Sequence, residues 1–173
     1  MSPAIRPALD DLWRCLGDIP DPEIPVISLV ELGIIRDVGW DEETLVVGVA
    51  PTYSGCPATS VIHLDIASAL GAFGIDKLRI VQRLSPPWTT DWITQQGRDK
   101  LRAYGVAPPN RDSGSSNRLR ARLGSLSGAV EKIACPRCES SATERISQFG
   151  STPCKATYRC TACLEPFEYF KCI

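Results

Sequence analysis

Apolar residues recur at helical spacing near the start of the chain. Ile5, Leu9, Leu12, Trp13 and Leu16 line one face of residues 4–18, which predicts an amphipathic helix. It should stop near Gly17, because Pro20, Pro22 and Pro25 follow and proline cannot continue a helix. The stretch DPEIPVISLVELG, 21–33, then reads as a loop with one apolar side. GIIRDVGW and TLVVGVAP are β-branched runs joined by Asp41, Glu42 and Glu43, the pattern of a hairpin. After the loop TYSGC, residues 57–70 predict a second helix with Val61, Ile62, Ile66, Ala69 and Leu70 facing inward. KLRIVQR, 77–83, alternates as a third strand does. SPPWTTDWITQQGRDKLRAYG begins as an aromatic turn and continues as a short helix ending at Gly105.

A hairpin followed by helix and strand makes an α/β (α+β) unit with a small mixed three-stranded sheet, its crossover right-handed. This unit is expected to fill residues 1–106. Residues 107–130 read as a linker, since PPNRDSGSSN is polar and turn-forming. Within it Leu119, Leu123, Leu126 and Val130 recur at helical spacing with Arg118, Arg120 and Arg122 between them. That segment reads as a short amphipathic helix packing on its own domain, with partner docking or basic nucleic-acid contact as the sharper alternatives. Residues 131–173 form a separate, β-rich C-terminal domain.

Charge narrows the function classes. The 173-residue chain carries a formal net charge of -1, which gives no global reason to expect nucleic acid. Residues 1–106 hold 9 basic against 14 acidic side chains, and residues 131–173 hold 6 against 5. No run approaches the ~18–20 apolar residues of a membrane-spanning helix. MSPAIRPALDDLW has neither a basic start nor an apolar core, so no secretory signal is expected and the cytoplasm is the expected location.

Eight cysteines in a reducing compartment point to metal or catalytic use rather than disulfides, and six of them fall in the last 39 residues. CPRC at 135–138 and CTAC at 160–163 are two Cys-x-x-Cys knuckles separated by 21 residues. Two residues between cysteines let both sulfurs face one ion, and the intervening hairpin closes the tetrahedron. Cys135, Cys138, Cys160 and Cys163 are therefore predicted to hold structural Zn²⁺ in a four-cysteine zinc ribbon. Iron also suits four thiolates, and redox dithiols are the competing reading. About 40 residues make too small an apolar core, so the metal should supply much of the folding free energy. Glu139 and Leu164 follow the second cysteines, where glycine would turn most easily. Cys154 and Cys172 read as small buried residues, with an alternative ligand set, a second site or a redox pair left open.

In the first unit, Gly55-Cys56-Pro57 places Cys56 at the N-cap of the second helix, because proline is favoured at the first helical position. N–H groups there favour a thiolate, hence a nucleophile or metal ligand. Asp21 and Glu23, stiffened by Pro22, offer two carboxylates for iron or for capping. His63, the only histidine, lies seven residues after Cys56, ~10 Å along a helix, too far to act as its base. A Cys–His hydrolase is thereby disfavoured, and His63 reads as a solvated helix residue.

DPEIPVISLVELGIIRDV, TYSGCPAT and SPPWTTDWIT…GRDKLRAYGVAPP together resemble the iron–sulfur cluster assembly factor family. With FGSTPCKATYRC and EPFEYFKCI added, the resemblance is to the branch that accompanies phenylacetyl-CoA epoxidase, a ring-hydroxylating monooxygenase system. It covers nearly the whole chain. It implies an accessory maturation factor of aerobic phenylacetate breakdown that handles iron or an iron–sulfur cluster transiently. The implied partners are the epoxidase subunits, above all the iron–sulfur flavin reductase, and a homodimer would also fit. The reactive cysteine of the family matches Cys56, the acids match Asp21 and Glu23, and Thr52 and Ser54 lie in the matching loop.

The residues agree with a non-enzymatic role. A di-iron oxygenase needs several histidines and carboxylates on helices, and one histidine cannot build that site. No glycine-rich dinucleotide fingerprint is present. Two other functions compete: a structural subunit that organises an oxygenase–reductase assembly, and a zinc-ribbon nucleic-acid binder.

Overall fold

In a computed structural model, which describes residues 6–53, 55–109 and 133–171, the β-branched runs form the expected hairpin. Strand β1, Ile35–Asp41, pairs antiparallel with β2, Thr44–Val49, and Glu42 takes the left-handed turn position at φ 52°. Helix α1, Leu9–Gly17, precedes them and buries Leu12 and Leu16; it ends at the glycine, as its prolines require. Helix α2, Thr59–Ala72, carries the chain over to β3, Leu78–Gln82, which pairs parallel with β2. The sheet order β1-β2-β3 is thus mixed and three-stranded, with Leu45, Val47 and Val49 of its central strand fully buried.

The opposite face of this sheet is ionic. Asp37 on β1 reaches past the central strand to Arg83 through two hydrogen bonds of 3.0 and 2.8 Å. Gly48 makes the crossing feasible, because a Cβ there would lie 2.1 Å from the Asp37 carboxylate. Asp41–Arg79 and Glu43–Lys77 repeat the same β1-side to β3-side pairing further along. Arg83 beside it holds the Asp37 carboxyl below its ordinary range.

The molecule divides into two compact units, residues 1–88 and 89–173. The second opens with a 3₁₀ turn, Thr90–Trp92, and helix α3, Gln95–Tyr104, N-capped by the Thr94 hydroxyl on the Gly97 N–H. Gly105 ends α3 at φ 95°, the left-handed position glycine adopts most readily. Arg98 is buried and donates to the carbonyl oxygens of Thr90, Ile93 and Pro109. A two-residue strand β4, Val106–Ala107, joins β5, Thr143–Ser147, β6, Lys155–Cys160, and β7, Pro166–Phe170, in the order β4-β7-β6-β5. Residues 89–106, expected from the sequence to belong to the first unit, and Ala107, expected to open the linker, therefore lie in the second. The reason is that β4 pairs parallel with β7, Val106 opposite Glu168. The core of this sheet stacks Tyr158 on Phe167 and sets Tyr169 edge-on, with ring centroids 5.9 and 5.7 Å apart.

The amphipathic segment with Leu119, Leu123, Leu126 and Val130 lies outside the described residues, as do Ile5, Ser54 and Cys172. Among the described residues, no helix is long and apolar enough to cross a membrane.

Candidate functional site

The four knuckle cysteines come together. Their sulfurs all lie within 4.8 Å of one another, with Cys135–Cys163 at 3.8 Å and Cys138–Cys160 at 3.5 Å. A tetrahedron with metal–sulfur bonds of about 2.3 Å has edges of about 3.8 Å, so the tetrad fits a four-coordinate ion without rearrangement. Each knuckle supplies one buried sulfur, Cys135 or Cys160, and one exposed, Cys138 or Cys163.

Both knuckles are built alike. The Cys135 N–H donates to the Ser140 carbonyl at 3.0 Å, and the Cys160 N–H donates to the Glu165 carbonyl at 2.9 Å. Each turn is closed by a residue in the left-handed region: Glu139 at φ 60° and Leu164 at φ 66°. The glycine missing from the sequence is thus replaced by a strained side chain, and the turn forms regardless. Arg137 and Glu165 tie one knuckle to the other at 3.5 Å.

Sulfurs this close compete for protons. Cys160 sits at about 7, lowered first by the Cys163 N–H, which points at its sulfur from 3.5 Å. Cys138 is pushed up to about 12: the Ser140 N–H favours its thiolate, but hydrogen bonding to Cys163 and Cys160 outweighs that. A dication held by Cys135, Cys138, Cys160 and Cys163 would remove the conflict by stabilising all four as thiolates.

A second network organises the end of the ribbon sheet away from the knuckles. Lys155 is buried and paired with Glu168 at 2.7 Å. The Glu168 carboxylate also accepts the Ser151 N–H at 2.6 Å and its hydroxyl at 3.2 Å. Burial raises the Glu168 carboxyl, but Lys155 and Ser151 outweigh it and hold it below its ordinary range. Cys154 is buried there with the Thr152 hydroxyl 3.0 Å from its sulfur, so of the readings left open it fits the small buried residue. Composition offered no sign of this pair, since a buried lysine has no sequence signature.

In the first unit the family-matching residues are placed differently from expectation. Ala58, not Cys56, holds the N-cap position of α2. Pro57 and Ala58 form a preceding turn, closed by the Thr59 N–H on the Cys56 carbonyl at 3.2 Å. Cys56 is half-buried one turn ahead of the helix. Asp21 is buried, and its Oδ1 accepts the N–H groups of Glu23 and Ile24, both at 2.9 Å, which fixes the shape of the DPE loop. Ser28 and Glu31 then cap each other reciprocally, setting the next turn. Thr52 is buried as well. Among the described residues the tetrad is the one group of three or more His, Cys, Asp and Glu ligand atoms drawn within 4.8 Å; Cys56, Asp21 and Glu23 do not form another. His63 is half-buried rather than solvated, and its Nε2 is enclosed with no hydrogen-bond partner among the described residues.

Comparison with known proteins agrees with both units. An iron–sulfur cluster assembly protein model matches residues 9–77, and a PaaD zinc beta ribbon domain model matches residues 121–171. A protein of Escherichia coli strain K12, provisionally named as a subunit of 1,2-phenylacetyl-CoA epoxidase, is 45% identical over 96% of this chain and 94% of its own. The crystal structure of a domain of unknown function, DUF59, from Bacillus anthracis is 25% identical, with a TM-score of 0.50 over 53% of this chain and 89% of that one. That likeness agrees with the mixed sheet and helices of the fold.

Proposed function

This chain belongs to the PaaD family of phenylacetyl-CoA epoxidase subunits, and on that premise we propose that it is a cytoplasmic, non-catalytic maturation factor of such a system. It carries iron or an iron–sulfur cluster to a client subunit, of which the iron–sulfur flavin reductase is the best fit. The observation that carries this reading is the division of its cysteines. Four form a complete tetrahedral set with no open position, which suits structural Zn²⁺ and leaves nothing to exchange. Cys56 lies within the span matched by the iron–sulfur assembly model and has no preassembled ligand shell among the described residues. A cargo ion held there is completed by ligands from the client or from a second copy, and incomplete ligation is what release requires.

Asp21, with its carboxylate engaged by two backbone N–H groups, acts mainly by holding the loop. Glu23 and Thr52 are the remaining candidates to support the cargo.

The test is to co-produce the client with the wild-type chain or with Cys56→Ala. The reading expects the client to be made in equal amount but to lose most of its iron and acid-labile sulfide with the variant, while the ribbon keeps its zinc. Full cofactor loading with Cys56→Ala would instead favour a structural subunit that organises the assembly.

A further inference from the structure

A groove of about 740 Å³ runs between α1 and α2, and Cys56 is not part of its lining. Its floor is apolar, formed by Ile19, Ala69, Phe73 and Cys15, whose thiol faces the Ala69 carbonyl at 3.8 Å. Its rim is acidic. Asp11 is neutralised by Arg14, but Asp18 and Asp65 have no side-chain ion-pair partner among the described residues.

The α2 wall of the groove does not end at Asp65. Val61 lies four residues before Asp65 and Leu64 four before Ser68, so both continue the same helical face toward the helix start. They are 44% and 69% exposed, and Phe73 at the other end is 43% exposed. An apolar stripe on a helix is normally covered by a neighbouring element. Helix α2 has Ile62, Ile66 and Leu70 against the sheet and leaves this second apolar face open. Val61, expected from the sequence to face inward, is part of the open face.

Area and charge select the occupant. The exposed apolar part of the face is on the order of 300 Å², well below the roughly 800 Å² per partner that a stable complex buries. A permanent dimer through this face is thereby disfavoured, and a transient partner suits it. Two uncompensated carboxylates beside an apolar track repel an acidic segment and attract a basic one.

We propose that this groove is the client-docking site, and that it takes a cationic amphipathic helix of the client, aliphatic on one side and Lys- or Arg-rich on the other. This rests on the delivery reading above and deepens it. Helix α2 is about 21 Å long at 1.5 Å per residue, and Cys56 lies just ahead of its first turn. A client helix seated along α2 is therefore aligned with the cysteine at one end, which brings the recipient ligands to the cargo. Asp18, Asp65 and Leu64 are positioning residues; none of them touches the cargo.

The probe is a fluorescent amphipathic peptide of about 14 residues, matched to the length of α2, with leucines on one face and lysines on the other. It is titrated into the zinc-loaded full chain, followed by anisotropy and by hydrogen-exchange footprinting. Saturable binding is expected, with protection at residues 11–20 and 61–73. It should weaken several-fold when ionic strength rises from about 0.05 to 0.3 M and at least ten-fold in Asp18→Lys/Asp65→Lys. Leu64→Ser gives a second variant that should weaken binding without altering charge. Equal binding of a peptide with glutamates in place of lysines, or a footprint elsewhere, overturns the proposal. So does a dimer in sedimentation velocity that itself protects 61–73, since the occupant is then a second copy. The two readings fail separately: loss of peptide binding with Cys56→Ala still stripping the client removes only the groove. Intact peptide binding with Cys56→Ala harmless removes delivery and leaves a docking surface.

Discussion

The residue after each knuckle offers a direct test of how the metal site is built. Glu139 and Leu164 hold φ near 60° and 66°, where an L side chain crowds the following carbonyl at about 1–2 kcal/mol. Glycine removes that crowding but loses about 0.5–1 kcal/mol of extra conformational freedom on folding. The net gain expected is about 0.5–1 kcal/mol for each of Glu139→Gly and Leu164→Gly. Little else is lost with either side chain, because Leu164 is 70% exposed and Glu139 lies in solvent. Together the two should add about 1–2 kcal/mol, or about 5–10 °C in melting temperature for a unit of this size. The assay is thermal unfolding of the zinc-loaded chain at fixed excess zinc, since metal binding otherwise shifts the midpoint by mass action. Alanine at the same positions is the control, because it keeps the crowding and should melt within a degree or two of wild type. A glycine variant that melts lower, or one no better than its alanine counterpart, would refute the claim that these turns demand the left-handed conformation.

Two further outcomes follow from the ribbon. Cys160→Ser should release the metal and expose residues 133–171 to protease while the first unit stays resistant; unchanged zinc by elemental analysis would contradict the ligand assignment. Glu168→Gln should lower stability by about 2–4 kcal/mol at neutral pH, because it leaves Lys155 buried without its counter-charge. The folded-state pKa of Glu168 is depressed, so its contribution is present above the ordinary value of 4.5 and is lost as pH falls below it. Metal release at low pH affects wild type and variant alike, so the difference between their denaturant midpoints isolates the carboxylate. A difference that stays constant from pH 7 to below 4 would refute the pairing.

How much of this was legible in the sequence depended on how local the cause was. The hairpin, α2, β3 and the Gly105 cap each follow from periodicity or from one residue's backbone preference, and the order of these elements settles the mixed sheet. The tetrad was legible because two-residue spacing brings sulfurs together whatever the rest of the chain does. What failed was non-local. The β4–β7 pairing involves two residues and leaves no periodic trace. One local rule also gives way: proline favours the first helical position, but the chain inserts a turn at Pro57 and moves the cap to Ala58. Lys155 and Glu168 are ordinary charged residues until the fold places one inside beside the other. The left-handed turns show that the knuckle's geometry overrides a local preference when a cross-turn hydrogen bond closes each knuckle.

On the proposed delivery role, the tetrad and Cys56 explain each other. Coordination by four thiolates on rigid turns resists loss of the ion, since every sulfur that lets go must leave a neighbour that the same hairpin holds in place. Such a site orders a small domain and is unsuited to giving metal away. A lone thiol ahead of a helix has the opposite properties: it can hold a cargo ion through one bond and cannot trap it. Specificity then has to come from surface rather than ligation, because a single sulfur does not distinguish one client from another. The acidic apolar face along α2 lies on the same helix that Cys56 precedes, and a partner held there is presented to that thiol in one orientation. On the proposed delivery role, ligand poverty at the cysteine and an open face on the helix it precedes are two parts of one requirement, that cargo pass on only to a partner already in position.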